Sequence, residues 1–171
     1  MAMVCAAPVV AAPAAAPGVQ AEQGLRRPGG FLTLSPAGVG LLPAYRVPFY
    51  LWSVDGGYHR PIGKVFAMQV GGYFEHGVIL GTQLIHFGAL GRFGGGRERS
   101  FGYALVRLGA DINVKGSPLN SAGFGMSLGG GGMGMVHRVV GLGGEAAFDV
   151  WLDSRATQFL PRLRVFLALK F

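Results

Sequence analysis

The chain has 171 residues, a length that suits one domain, and a formal net charge of +7. Charged residues make up 13% of the chain, against about 25% in ordinary soluble domains, whereas 50% are hydrophobic. This composition argues against a charge-covered soluble surface. The single cysteine, Cys5, excludes a disulfide framework within one chain. The basic residues are mostly scattered singly, without a basic stripe and interleaved aromatics, so the charge predicts no nucleic-acid binding.

The first 21 residues carry no charge and consist mostly of Ala, Val and Pro. Residues 4–16 are similar to the apolar region of a secretory signal, and cleavage before Glu22 would follow a small residue. No Lys or Arg precedes this apolar region, and the alternative is a flexible Ala/Pro-rich tail. The sequence predicts a signal-peptide-like segment over 1–21, a linker over 22–29 and a barrel over 30–171.

The rest of the chain divides into segments of about ten residues in which apolar and polar positions alternate, as in membrane-spanning strands. No later stretch suits a membrane helix of about 20 apolar residues, because prolines and glycines interrupt the longest candidate. The predicted strands are 30–41, 48–59, 64–75, 78–92, 101–113, 120–137, 140–153 and a last strand that ends at Phe171.

Three of these strands have features of their own. Pro36 predicts an edge or a bend in the first strand. In the fourth strand Thr82, His86 and Arg92 share one parity, but Gln83 does not, so the inward face is ambiguous. The sixth strand is rich in glycine, which would make room in a narrow interior for large side chains from across the lumen.

The last strand has one wholly apolar side and one basic or small side, because successive side chains point to opposite faces. A soluble sandwich would bury the apolar side, whereas a membrane barrel would turn it to lipid and keep the charges in the lumen. The apolar side consists of Leu163, Val165, Leu167, Leu169 and Phe171; the other consists of Arg162, Arg164, Phe166, Ala168 and Lys170.

Strand length and the distribution of acids favour lipid. A membrane strand needs about 9–11 residues, whereas soluble strands average about 5–6. The acidic residues share the inward parity with Arg107, Arg164 and Lys170; they are Asp55, Glu75, Asp111, Glu145, Asp149 and Asp153. Buried charges need partners.

These lumenal charges predict specific pairs. A last turn centred near residues 155–156 would place Asp149 opposite or diagonal to Arg164, and Glu145 near Lys170; Arg107 and Asp111 complete the lumenal set. The sequence therefore predicts an all-β, eight-stranded, antiparallel up-and-down transmembrane β-barrel. Its interior is filled by side chains.

The terminal strand, the eight-segment pattern and the glycine-rich sixth strand together resemble the small bacterial outer-membrane barrels of the OmpA-like and OmpX-like kind. The resemblance implies a bacterial outer-membrane location, contact with outer-membrane lipids and a structural or interaction role. It also implies that Leu163, Val165, Leu167, Leu169 and Phe171 form a signal read by the barrel-assembly machinery. The loops are shorter than the extracellular loops common in that family.

The sequence offers little for catalysis. The four histidines, His59, His76, His86 and His137, lack metal-ligand spacing, and no CxxC or HExxH motif is present. We therefore expect no metal, no cofactor, no catalytic residue and no enzymatic activity. Three alternatives stay open: a lipid-modifying enzyme using His76 beside Glu75, a narrow porin-like pore, and a soluble β-barrel that binds an apolar ligand. The oligomeric state is not predicted.

Overall fold

The computed structural model describes residues 25, 27–43, 46–79, 81–96, 99–114, 122–152 and 157–171. The predicted signal-peptide-like segment, 1–21, lies outside these residues. So do Asp153 and, apart from residue 25 and residues 27–29, the predicted linker over 22–29. Within the described part of the chain, no helix has the length and apolar character needed to cross a membrane.

Eight antiparallel strands form one closed barrel, which confirms the predicted fold. Each strand pairs with the next along the chain, and β8 pairs with β1 to complete the ring. The strands are β1 Gly29–Leu42, β2 Val47–Ile62, β3 Phe66–Ile79, β4 Thr82–Gly95, β5 Ser100–Val114, β6 Ala122–Met135, β7 Val140–Leu152 and β8 Thr157–Lys170.

Some observed strands are longer than the predicted ones; for example, β2 and β3 both continue beyond their predicted last residues. Residues 60–62, which follow the predicted second strand 48–59, belong to β2, which continues to Ile62 and pairs there with Phe66. Gly63 and Gly81, with φ of 70° and 78°, lie in the tight turns after β2 and β3. Glycine adopts this left-handed conformation without steric cost, so these hairpins can close within two or three residues.

Alternation along each strand sorts the side chains as predicted. On β8, Leu163, Val165 and Leu167 are 64%, 62% and 37% exposed, whereas Arg162 and Arg164 are buried. Leu169 and Phe171 also face outward. On β4 the ambiguity disappears: Thr82, His86 and Arg92 are buried inside the barrel, and Gln83 faces outward. The barrel is therefore apolar outside and charged inside.

The first strand contains a bulge around Pro36, where the sequence predicted a bend or an edge. The pairing with β2 shifts by one residue between Ser35 and Gly38, and the pairing with β8 shifts there too. The bulge also changes parity, because inward positions are odd-numbered up to Ser35 and even-numbered from Gly38. One extra residue thus keeps both halves of β1 facing correctly.

Candidate functional site

The lumen contains three layers. We call the end that holds both ends of the described chain the terminal end, and the opposite end the far end. An apolar layer lies toward each end, and between them lies a layer of buried charges, the lumenal charge network. The far layer consists of Leu42, Phe49, Leu51, Ile79, Leu84 and Leu160, with Trp151 packed against them.

Asp55 lies at the centre of the lumenal charge network and is fully buried. Its carboxylate lies 2.5 Å from Arg92 Nη2, 3.1 Å from Arg107 Nη2 and 2.6 Å from Arg164 Nη2. The hydroxyl of Thr33, opposite Asp55 in the β1–β2 register, donates a further hydrogen bond at 2.9 Å. Charge-assisted bonds from three guanidinium groups offset the large desolvation cost of this carboxylate.

Glu145 contacts the same three arginines from the β7 side. Arg164 donates to it from Nε at 2.8 Å and Nη2 at 3.0 Å, and Arg92 and Arg107 approach to 3.4 Å and 3.3 Å. The Tyr103 hydroxyl donates at 3.2 Å. Because two carboxylates share three guanidinium groups, this part of the network spans the lumen from β2 to β7.

Two of the buried arginines also pack against aromatic rings. The guanidinium carbon of Arg92 lies 5.1 Å from the centre of the Tyr103 ring, and that of Arg107 lies 5.0 Å from the Tyr73 ring. Such contacts stabilise a desolvated cation. They fix the planes of the guanidinium groups and leave little freedom inside the lumen.

A second group of charges lies between Arg107 and the far end of the barrel. Glu75 contacts Arg107 Nη1 at 3.3 Å and also forms an ion pair with Arg162. Arg162 Nε lies 3.2 Å from Asp149, and its Nη2 donates to Ser127 at 3.4 Å. Arg107 therefore joins the two groups, since it touches Asp55, Glu145 and Glu75.

His86 and Asp111 contact each other next to the far apolar layer. The His86 ring packs edge-on against Tyr73 and Trp151, with centroids 5.8 Å and 5.6 Å away. A Cβ at Gly125 of β6 would collide with both His86 and Asp111. A glycine of the sixth strand therefore makes room for large lumenal side chains, as predicted, but these come from β4 and the neighbouring β5 and not from across the lumen.

The predicted charge pairs require correction. Arg164 pairs with Glu145 in the β7–β8 register, and the partner of Asp149 is Arg162. Lys170 lies at the terminal end, six residues beyond Arg164, the register partner of Glu145, and its Nζ donates to the carbonyl oxygen of Arg27 at 2.7 Å. The hairpin places Leu152 opposite Thr157, so its centre lies one residue earlier than predicted, and every partner shifts by two residues.

Four residues of the network were missed as pair members from the sequence: Asp55 and Glu75, which were predicted to face inward without a named partner, and two arginines. Arg92 lies in the strand whose inward face was ambiguous, and Arg162 shares the parity of Arg164 but was not assigned a partner. Parity was the available signal for both arginines. Arg92 shares the parity of Thr82 and His86, which are buried, and every even-numbered position from Leu160 to Ala168 is buried.

His76 and Glu75 do not form a site together. Glu75 points into the lumen, whereas His76 is on the outer face, where its Nδ1 accepts a hydrogen bond from Trp52 Nε1 at 3.1 Å. Neighbours in a strand diverge to opposite faces, which separates the two groups. Among the described residues, no three His, Cys, Asp or Glu side chains are placed to hold a metal ion.

Both ends of the lumen are packed. At the terminal end Leu25 is 8% exposed, and its carbonyl oxygen lies 2.8 Å from His59 Nε2, which donates to it. At the far end a cavity of about 10 Å³, lined in part by Phe49, His86 and Trp151, has room for about one water molecule. A second cavity, of about 30 Å³, lies at the terminal end beside Leu25 and Phe101. The described side chains fill the layer of charges between the two cavities.

Comparison with known proteins gives a structural match but no sequence family. No family model matches the chain, and no curated protein matches its sequence. The crystal structure of Neisserial surface protein A is similar to the chain, with a TM-score of 0.59 and 15% identity, over 84% of this chain and 97% of that one. This similarity supports the fold alone. A designed transmembrane β-barrel also matches, with 14% identity over 85% of this chain and 98% of that one, but its TM-score of 0.43 is too low to support a conclusion.

Proposed function

We propose that this protein is an integral barrel of the bacterial outer membrane, with a structural or interaction role and outer-membrane lipids around it. The observation that carries the proposal is the inverted distribution of polarity. All five acidic side chains in the described part of the chain are buried in the lumen, while large apolar side chains cover the outside. A water-surrounded barrel would gain nothing from this arrangement, whereas lipid requires it.

Fractionation of cells tests this proposal. We expect the folded chain to sediment with the outer membrane, to require detergent for extraction, and to migrate faster in unheated than in heated gel samples. A barrel held closed by a complete hydrogen-bond ring resists the detergent until it is heated. Release of the protein in soluble form after lysis without detergent would contradict the proposal and favour a soluble barrel.

The filled lumen supports a non-conducting barrel rather than the porin-like alternative. Four arginines and five carboxylates cross the interior between two apolar layers in the described structure. The same packing supports a non-enzymatic role, because the described side chains leave no open site for a substrate in the middle of the lumen. The outer face offers no paired Glu75 and His76 for the lipid-modifying alternative. Between its two ends the described outer surface is apolar, which argues against nucleic acid as a partner there.

We further propose that the apolar side of β8, with Phe171 at its end, is read by the barrel-assembly machinery. The support is its exposure: Phe171 is 78% exposed and follows four alternate outward aliphatic residues. A Phe171→Ala variant should lower the amount of barrel assembled in cells several-fold, yet refold normally from urea into detergent. Phe159→Ala is the matched control, because Phe159 is 62% exposed on the same strand but distant from its end. Equal assembly of both variants would refute the signal.

A further inference from the structure

The charges outside the lumen are distributed unequally between the two ends of the barrel. Because all described acidic side chains lie inside, every charged side chain on the described exterior is basic. Arg46 lies at the far end, between β1 and β2. The other exposed cations lie at the terminal end, and we call them the basic ring: Arg27, Arg60, Lys64, Arg99 and Arg138. Lys170, partly buried on the inward face of β8, lies beside the ring.

The basic ring extends around the whole terminal end. Lys64, Arg99 and Arg138 each lie in one of the three turns at this end, which follow β2, β4 and β6. Arg27 precedes β1, and Lys170 is the last residue of β8, so the two meeting ends of the sheet also carry cations. Every connection at this end therefore contributes positive charge, and none of its described residues carries an acidic side chain.

An apolar band lies next to the basic ring. Phe66 and Phe93 are each 54% exposed, and their rings stack with centroids 5.9 Å apart. Tyr58 is half exposed, two residues from Arg60 on the same outward face. Aromatic girdles of this kind mark the level of the lipid headgroups in membrane barrels. The side chains of Arg60 and Lys64 thus lie at the depth where headgroup phosphates would be.

We propose that the basic ring binds the headgroups of anionic phospholipids and so favours such lipids around the terminal end. This rests on the proposed membrane location. In barrels with an even number of strands the termini share the side of the short turns, which faces the periplasm and its phospholipid leaflet. Basic side chains near an anionic surface each contribute about fivefold to binding, and several act together.

Lipid competition on the purified full-length protein tests this inference. The protein in detergent is offered equal amounts of phosphatidylglycerol and phosphatidylethanolamine, and retained lipid is counted by native mass spectrometry. We expect wild type to prefer phosphatidylglycerol by more than about tenfold, because several cations act together. The triple variant Arg60→Gln, Lys64→Gln and Arg99→Gln should lose most of this preference, and high salt should weaken it because surface charges are screened.

Single variants provide matched controls. Arg60→Gln and Arg46→Gln each remove one exposed arginine, from the terminal end and the far end respectively. We expect Arg60→Gln to lower the preference two- to fivefold, which corresponds to about one surface cation, and Arg46→Gln to leave it unchanged. Heat-modifiable migration checks that each variant folds. If the triple variant does not fold, the comparison of Arg60→Gln with Arg46→Gln still tests whether the terminal end binds the lipid.

Three results would overturn the inference. The first is equal retention of the two lipids by a wild-type barrel that still shows heat-modifiable migration, which would leave the membrane proposal intact. The second is an equal loss of preference in Arg46→Gln and Arg60→Gln. The third is a triple variant that keeps its lipid preference but loses binding to soluble peptidoglycan fragments, because the ring would then serve an acidic glycan.

Discussion

At the scale of single residues, Asp55 is the most deeply buried carboxylate in the described lumen, and it shares its three arginine partners with Glu145. It touches Arg92, Arg107 and Arg164, and no solvent reaches it. Burying such a cluster is expensive, so its ion pairs are not evidence of large net stabilisation. They do mean that removing one partner leaves charge uncompensated in a dry interior.

We therefore expect Asp55→Asn to lower the free energy of unfolding by about 3–5 kcal/mol, measured by urea titration in lipid vesicles. Asp149→Asn is the control, since Asp149 is almost as deeply buried but its partner Arg162 also contacts Glu75. Its loss should be smaller. If both variants lost the same amount, Asp55 would have no special place in the network.

The outward residues predict a dependence on depth. Leu163 lies at the middle of β8 and is 64% exposed, whereas Val139 lies in the turn after β6 and is 44% exposed. In lipid, Leu163→Lys should cost about 2–4 kcal/mol of unfolding free energy and Val139→Lys only about 0–1. A cost at Leu163 no greater than that at Val139 would show that the outer face does not contact hydrocarbon.

At the scale of the strand, the β1 bulge adds a single residue. This residue lets the two halves of β1, whose alternation differs in parity, face the lumen with the correct side chains. Residues on its two sides change parity, yet both halves place small or apolar side chains inward and Leu32, Leu34, Val39 and Leu41 outward. Proline donates no backbone hydrogen bond, which suits Pro36 to an unpaired bulge position.

Deleting Pro36 should therefore be tolerated, because Gly38 would keep its partner Leu51 and every side chain would keep its face. Deleting Ala104 is the control. Strand β5 pairs without interruption on both sides, so that deletion would turn either Arg107 and Asp111 or Phe101 and Tyr103 outward. We expect heat-modifiable migration to persist in the first variant and to disappear in the second. Loss of heat-modifiable migration in the Pro36 deletion would show that the bulge itself is needed for stability.

At the scale of the whole molecule, the barrel is a closed ring filled with charge and capped by apolar layers. In the described lumen five carboxylates face four guanidinium groups, with His59 and His86 beside them. Among the described residues, the excess positive charge thus lies outside the lumenal charge network. This separation makes the interior nearly neutral and concentrates cations at the ends of the barrel.

The packed lumen predicts that the barrel does not conduct. Wild-type protein inserted into planar bilayers should produce no stepwise currents, because ions would have to displace the charge network and both apolar layers. An open porin added to the same bilayer afterwards confirms that the membrane can report a channel. Reproducible current steps from the wild-type protein would contradict the filled lumen.

The sequence by itself determined the number of strands, the class of fold and the face on which most side chains lie. Facing is a local property, since a period of two along one strand places Leu163 and Arg164 on opposite sides whatever the neighbours do. The role of the β6 glycines and the bend at Pro36 could also be predicted, because both depend on the residue itself and not on distant parts of the chain.

Only the tertiary structure decided which charges meet. The partners of Arg164 depend on where the last hairpin turns and on the stagger of eight strands around the ring, and a shift of one residue in the turn moved each β7–β8 partner by two. Asp55 and Arg107 lie 52 residues apart and touch across the lumen. Contacts of that kind are set by closure of the whole barrel, a property that no single strand carries.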